Sequence, residues 1–131
     1  MIIDSSAILA ILLAETDAHA YVNAIAKAYT TRMSAAVYIE VAAKIDSVRS
    51  PIASRELDNL IRRSQIIIED VTAEHAQIAR EAYRDFGRGS GHPAKLNFGD
   101  SFSYALAKAY DEPLLYKGND FSKTDIQSAL K

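Results

Sequence analysis

The sequence predicts an α/β fold, a mostly parallel sheet covered by helices on both faces. Three observations carry that expectation. Short strand-like runs recur at Ile2-Ile3, Thr30 to Met33, Ile66-Ile67-Ile68 and Leu114-Leu115-Tyr116, each the length of a strand and too brief for a helix. Between them lie longer stretches opened by helix-capping residues, and strands alternating with helices give a mostly parallel sheet. The chain has 131 residues, 49% of them hydrophobic, which suits one domain over residues 1–131 with a full core and no need of staples.

The elements follow in order. Ile2-Ile3 is a short buried strand, and Ser5 or Ser6 caps a helix to about Ala14. Asp17 caps a second helix that turns Ala20, Ile25 and Ala28 inward. Thr30 to Met33 is the second strand, and Ser34 caps a third helix to about Val48. Ser50-Pro51 opens a fourth, an N-cap followed by proline at the first helical position. It turns Leu57, Leu60 and Ile61 inward and leaves Arg55, Arg62 and Arg63 on the wetter side. Ile66-Ile67-Ile68 is β-branched on both sides, as buried parallel strands are. Thr72 caps a helix to Phe86, and Gly87 to Pro93 is a loop by its glycine and proline content. Gly99 precedes a helix to about Tyr110, with Phe98, Phe102, Ala105, Leu106 and Ala109 as its apolar stripe and Asp100 pointing away from it. Leu114 to Tyr116 is the fourth strand, and the last ten residues hold a short helix or turn and an edge strand.

Composition excludes several classes of protein. There is no cysteine, so disulfides, thiolate metal sites and a cysteine nucleophile are absent, which fits a reducing compartment. The net charge of −2 is not that of a uniformly basic nucleic-acid binder, so any such contact must use a local patch. The apolar run Ala7 to Ala14 lacks a basic flank, Asp4 standing where one would be, and is too short to span a bilayer. A cytoplasmic protein without membrane contact is expected. No phosphate-loop or dinucleotide-binding glycine motif occurs, and His19, His75 and His92 show no metal-ligand spacing.

Four carboxylates stand out against this background. Asp4 is the only charge between Met1 and Ala14, Glu40 the only one between Met33 and Ala43, and Asp100 the only one between Leu96 and Ala107. Asp120 follows an apolar strand and a glycine. A carboxylate among apolar residues is costly unless it is paired or binds a metal. Ligands in open α/β sheets bind beyond the carboxyl ends of strands, where Asp4 and Asp120 fall. Each acid also has a local alternative: Asp4 and Asp120 as helix caps, Asp100 as a first-turn acid, Glu40 in a pair with Arg32 or Lys44. Jointly those alternatives leave unexplained why all four interrupt apolar context. Four gathered oxygen ligands without cysteine suit Mg²⁺ or Mn²⁺ better than zinc, and such an ion suits phosphodiester hydrolysis.

Taken together, Ile3-Asp4-Ser5-Ser6, Ile39-Glu40, Asn97-Phe98-Gly99-Asp100-Ser101-Phe102 and Lys117-Gly118-Asn119-Asp120-Phe121 resemble the PIN-domain family, and within it the VapC-type toxins of type II toxin–antitoxin pairs. The resemblance covers essentially the whole chain. It implies a three-layer α/β/α sandwich and a Mg²⁺- or Mn²⁺-dependent endoribonuclease that cuts structured RNA such as tRNA or rRNA. Asp4, Glu40, Asp100 and Asp120 would be the acidic metal site. It also implies a homodimer and a VapB-type antitoxin able to place a basic side chain in the acidic pocket. Arg84, Arg88, His92 and Lys95 flank the glycine-rich loop and are candidate RNA contacts. Two other functions are compatible with the residues: a PIN nuclease of RNA processing outside a toxin pair, and a non-catalytic module binding RNA or protein.

Overall fold

Four parallel strands form one sheet in the computed structural model, which describes residues 1–130. They are β1 (Ile2–Ile3), β2 (Arg32–Ser34), β3 (Ile67–Glu69) and β4 (Leu114–Leu115), in the spatial order β3-β2-β1-β4. Ile2 pairs with Arg32 on one side and Leu114 on the other, and Arg32 pairs with Ile67. The helices are α1 (Ser5–Leu12), α2 (Ala18–Lys27), α3 (Ala35–Ser47), α4 (Pro51–Arg63), α5 (Ala73–Phe86) and α6 (Phe98–Tyr110), with a 3₁₀ turn at Phe121–Lys123. The chain steps outward from β1 to β2 to β3 and then returns to the far side of β1. The ends of β1 and β4 therefore flank the point where strand order reverses, where such sheets bind ligands.

Alternation along the strands divides the core. Ile3, Met33 and Leu115 face Ile8, Val37, Val41 and Leu57 beneath α1, α3 and α4. Ile2 and Leu114 face Leu96, Tyr104, Leu106 and Phe121 on the α6 side. Each fully buried aliphatic side chain contributes roughly 1.5–3 kcal/mol of transfer free energy, so these two clusters hold the helices to the sheet.

The expected caps at Ser34, Ser50 and Thr72 are formed. Their hydroxyls accept from the amides of Ala36, Ala53 and His75 respectively. Leu57 is buried and Leu60 and Ile61 pack beside it. The expected terminal edge pairing is a single parallel bridge between Leu114 and Ser128.

Five local expectations are corrected. Asp4, rather than Ser5 or Ser6, is the N-cap of α1. Asp17 sits at the cap position of α2 without a capping bond, because Lys117 and Tyr21 take its carboxylate. β3 is an edge strand and Ile67 is 43% exposed, not buried on both faces. α6 starts at Phe98 with Asn97 as its cap, which swings the Phe98 ring outward to 71% exposure and leaves Ala109 exposed. Asp100 lies inside rather than clear of the core, at 9% exposure.

Candidate active site

Asp4 ends β1 and is 3% exposed. Its Oδ2 accepts from the Ser6 amide at 3.1 Å and the Ser6 hydroxyl at 2.7 Å. Its Oδ1 accepts from the Ser103 hydroxyl at 2.6 Å. Ser103 stands one helical turn beyond Asp100 on α6, so this buried bond draws the two aspartates together. The Ser6 hydroxyl also accepts from the Lys117 amide at 2.9 Å. That contact fixes the start of the loop after β4, which carries Asp120.

Asp100 is held by a capping box. Its Oδ2 accepts from the Asn97 amide at 3.0 Å while Asn97 Oδ1 accepts from the Asp100 amide at 2.8 Å. Burial pushes its pKa up to about 7 against that stabilising amide, and the charges of Asp4, Asp120 and Glu40 push it the same way.

Glu40 reaches the same place from the middle of α3. A methyl group at position 99 would collide with Glu40 Oε2. Only glycine in the first turn of α6 lets that carboxylate lie there; the requirement is space, not backbone freedom. Arg32 is turned instead to Glu69 and Glu112, and Lys44 forms no ion pair among the described residues. The alternative pairing for Glu40 is thus not made. Asp120 is exposed and makes no capping bond.

Two features bear on a metal. Among the described residues no lysine or arginine forms an ion pair with Asp4, Glu40, Asp100 or Asp120, so a gathered negative field has no protein counter-charge. Also among the described residues, no three acid or histidine side chains close into a ready ligand cluster. The donor chemistry fits a hard cation of the Mg²⁺ kind, which binds one or two carboxylates and keeps water and substrate oxygens as its other ligands.

The basic candidates divide. Arg84 is tied to its neighbour Asp85 by two hydrogen bonds of 2.9 and 3.1 Å. Arg88, His92 and Lys95 line one surface hollow of about 390 Å³ with Gly89 and Gly91. Asp125 accepts from the Tyr104 hydroxyl at 2.7 Å and from Lys108 Nζ at 2.8 Å, a local structural role. Sequence reasoning missed Ser103. The usable signal was its position three residues after Asp100, which places both on one helix face.

The PIN domain family model matches residues 1–127. Ribonuclease VapC28 of Mycobacterium tuberculosis is 57% identical over 130 residues, covering 99% of this chain and 98% of that one. Ribonuclease VapC42 of the same species is 47% identical over 129 residues, covering 98% of each. The crystal structure of Mycobacterium tuberculosis VapC20, described as a Sarcin-Ricin loop cleaving toxin, superposes with a TM-score of 0.76 at 16% identity, over 99% of this chain and 98% of that one. A toxin–antitoxin complex from Klebsiella pneumoniae gives a TM-score of 0.69 at 14% identity, over 92% and 89%. With its parallel sheet, its acids at the strand-order reversal and relatives matched along their whole length, the chain belongs to the PIN-domain family, among the VapC ribonucleases.

Proposed function

We propose that this protein is a Mg²⁺- or Mn²⁺-dependent endoribonuclease, the toxin of a VapBC-type pair, which hydrolyses structured RNA such as tRNA or rRNA and so inhibits translation. The observation that carries the proposal is that Ser103, one turn after Asp100, bonds Asp4, and Gly99, beside Asp100, lies against Glu40, with no paired cation on these acids among the described residues. Asp4, Glu40, Asp100 and Asp120 would hold the ion. When bound, it activates water and neutralises charge on the phosphoryl oxygens. The chain's own contribution is placement. Ser6 and Ser103 fix both oxygens of Asp4, the Asn97 amide orients Asp100, and Gly99 leaves room for Glu40. The same negative field would attract a basic side chain of a VapB-type antitoxin. The ribonuclease names of the relatives support RNA as substrate, and the toxin–antitoxin neighbour supports such a partner. The reading includes a homodimer and a cytoplasmic location; among the described residues no helix is long and apolar enough to cross a membrane.

The test is cleavage of total cellular RNA by the purified chain in Mg²⁺, in Mn²⁺ and in EDTA, beside Asp100→Asn, with cut ends mapped by sequencing. Cuts that require both the ion and Asp100 are expected, and their positions name the target. Equal cutting in EDTA, or by Asp100→Asn, would overturn the assignment.

A further inference from the structure

Gly87 and Leu96 close a loop that leads directly into α6 and its Asp100. The Arg88 amide donates to Leu96 O at 3.0 Å and the Leu96 amide to Phe86 O at 2.9 Å. Inside the loop, His92 Nδ1 accepts from the Ala94 amide at 3.0 Å. The imidazole packs edge-on against Phe86, ring centres 4.8 Å apart. Its own amide donates to the Ser90 hydroxyl at 3.2 Å. Ala94 and Leu96 are buried. The loop is therefore pinned from within, with His92 as the pin. Gly89 and Gly91 take φ values of +86° and +88°, which side chains disfavour.

What the pinned loop presents outward is cationic. Arg88 and Lys95 are exposed, and neither forms an ion pair among the described residues. No carboxylate occurs from Gly87 to Gly99. Lys95 stands two residues before Asn97, which caps α6 and bonds Asp100, so this cationic loop leads straight into the turn that carries Asp100.

The geometry points to a division of labour in the Gly87–Leu96 loop: Arg88 and Lys95 grip backbone phosphates of the RNA flanking the scissile bond, and His92 is a positioning residue that holds the loop in shape without touching RNA. Arg84, occupied by Asp85, takes no part. This assignment rests on the ribonuclease reading for its ligand. It takes RNA over an acidic protein segment because the loop leads straight into the turn that carries Asp100.

The test has two arms. In the first, Asp100→Asn protein in EDTA binds labelled total tRNA across a salt series, with and without Arg88→Ala/Lys95→Ala. The double variant should bind about tenfold more weakly and lower the slope of log affinity against log salt by about 1.5, the release expected for two single-strand phosphate contacts. In the second, RNA cleavage is followed in an otherwise unaltered chain. His92→Ala should raise KM about fivefold with kcat within about twofold, and His92→Asn, which keeps an acceptor for the Ala94 amide, should restore most of KM. Arg84→Ala should behave as the parent. Unchanged affinity and salt slope in the double variant would overturn the phosphate grip, and would make the loop a protein-docking element if inhibition by the antitoxin were weakened instead. His92→Asn no better than His92→Ala would overturn the positioning role. A parent that cuts RNA beside variants that bind normally would leave the nuclease standing without this loop. A parent that cuts nothing, while binding still depends on Arg88 and Lys95, would leave the loop standing without the nuclease.

Discussion

Around Arg32 the carboxylates meet a cation, whereas around Asp4 they meet none. Glu69 and Glu112 both face the Arg32 guanidinium, which also lies 4.4 Å over the Tyr110 ring, while the Tyr110 hydroxyl donates to Glu69 at 2.9 Å. That cluster is neutralised where it stands. Asp4 and Asp100 are more deeply buried, yet only neutral donors serve them: two serine hydroxyls and two backbone amides. One chain thus handles buried acids in two ways. Where the charge serves the fold, a guanidinium is placed against it. Where the charge must stay available, uncharged donors orient it and leave its field open.

The contrast is broken most severely by removing the field. Asp4→Asn keeps size but removes the charge and turns one accepting oxygen into a donor, and should lower kcat/KM on RNA by about a thousandfold, measured in Mg²⁺ by single-turnover cleavage. Ser103→Ala leaves all four acids but frees Asp4 Oδ1. It should cost about 10- to 100-fold in activity or metal affinity, as loss of a ligand's supporting bond does, read by cleavage and by calorimetric Mn²⁺ titration.

The next effect is on stability and runs opposite to the usual carboxylate. Asp100 has a folded pKa near 7, above the value of about 3.9 it takes in an unfolded chain. The folded state therefore holds this proton longer, and the group's contribution is complete below about pH 4 and lost as pH rises through 7. In chelator, the parent should lose about 2 kcal/mol relative to Asp100→Asn between about pH 5 and pH 8, after discounting for partial solvation, measured by urea unfolding at each pH. A difference that is flat with pH would count against the burial assigned to Asp100.

The smallest effect belongs to the partnered cluster. Arg32→Met removes the cation from Glu69 and leaves Glu112 to the Met1 ammonium, and should cost about 1–2 kcal/mol. Cleavage by the folded fraction should stay near that of the parent, as checked by unfolding midpoint and specific activity together.

The same contrast explains what could be read from the sequence. The caps at Ser34, Ser50 and Thr72 were legible because the bonds they make span two or three residues. Asp4, Glu40 and Asp100 stood out because each is a lone charge in apolar surroundings, a cost visible without the fold, whereas Asp120 was marked only by following an apolar strand and a glycine. The edge position of β3 was not legible, since strand order is set by crossovers between distant segments. Nor was the burial of Asp100, which depends on a bond between Ser103 and an aspartate 99 positions away in the chain. Ser103 itself was marked only by standing three residues after Asp100 on one helix face. The outward swing of Phe98 follows from two residues' difference in where α6 begins, a boundary that pattern alone places loosely.

The return of the chain to β1 sets a condition on when the site exists. The Asp4 amide donates to Leu115 O at 2.9 Å, and the Ser6 hydroxyl that orients Asp4 is engaged by the Lys117 amide. Both contacts come from the last strand to be made and the loop after it, and Asp120 lies beyond them. A chain halted before Leu114 would carry Asp4, Glu40 and Asp100 but would lack the strand that anchors the first of them. During synthesis, the acidic pocket therefore closes only when β4 has left the ribosome and docked beside β1.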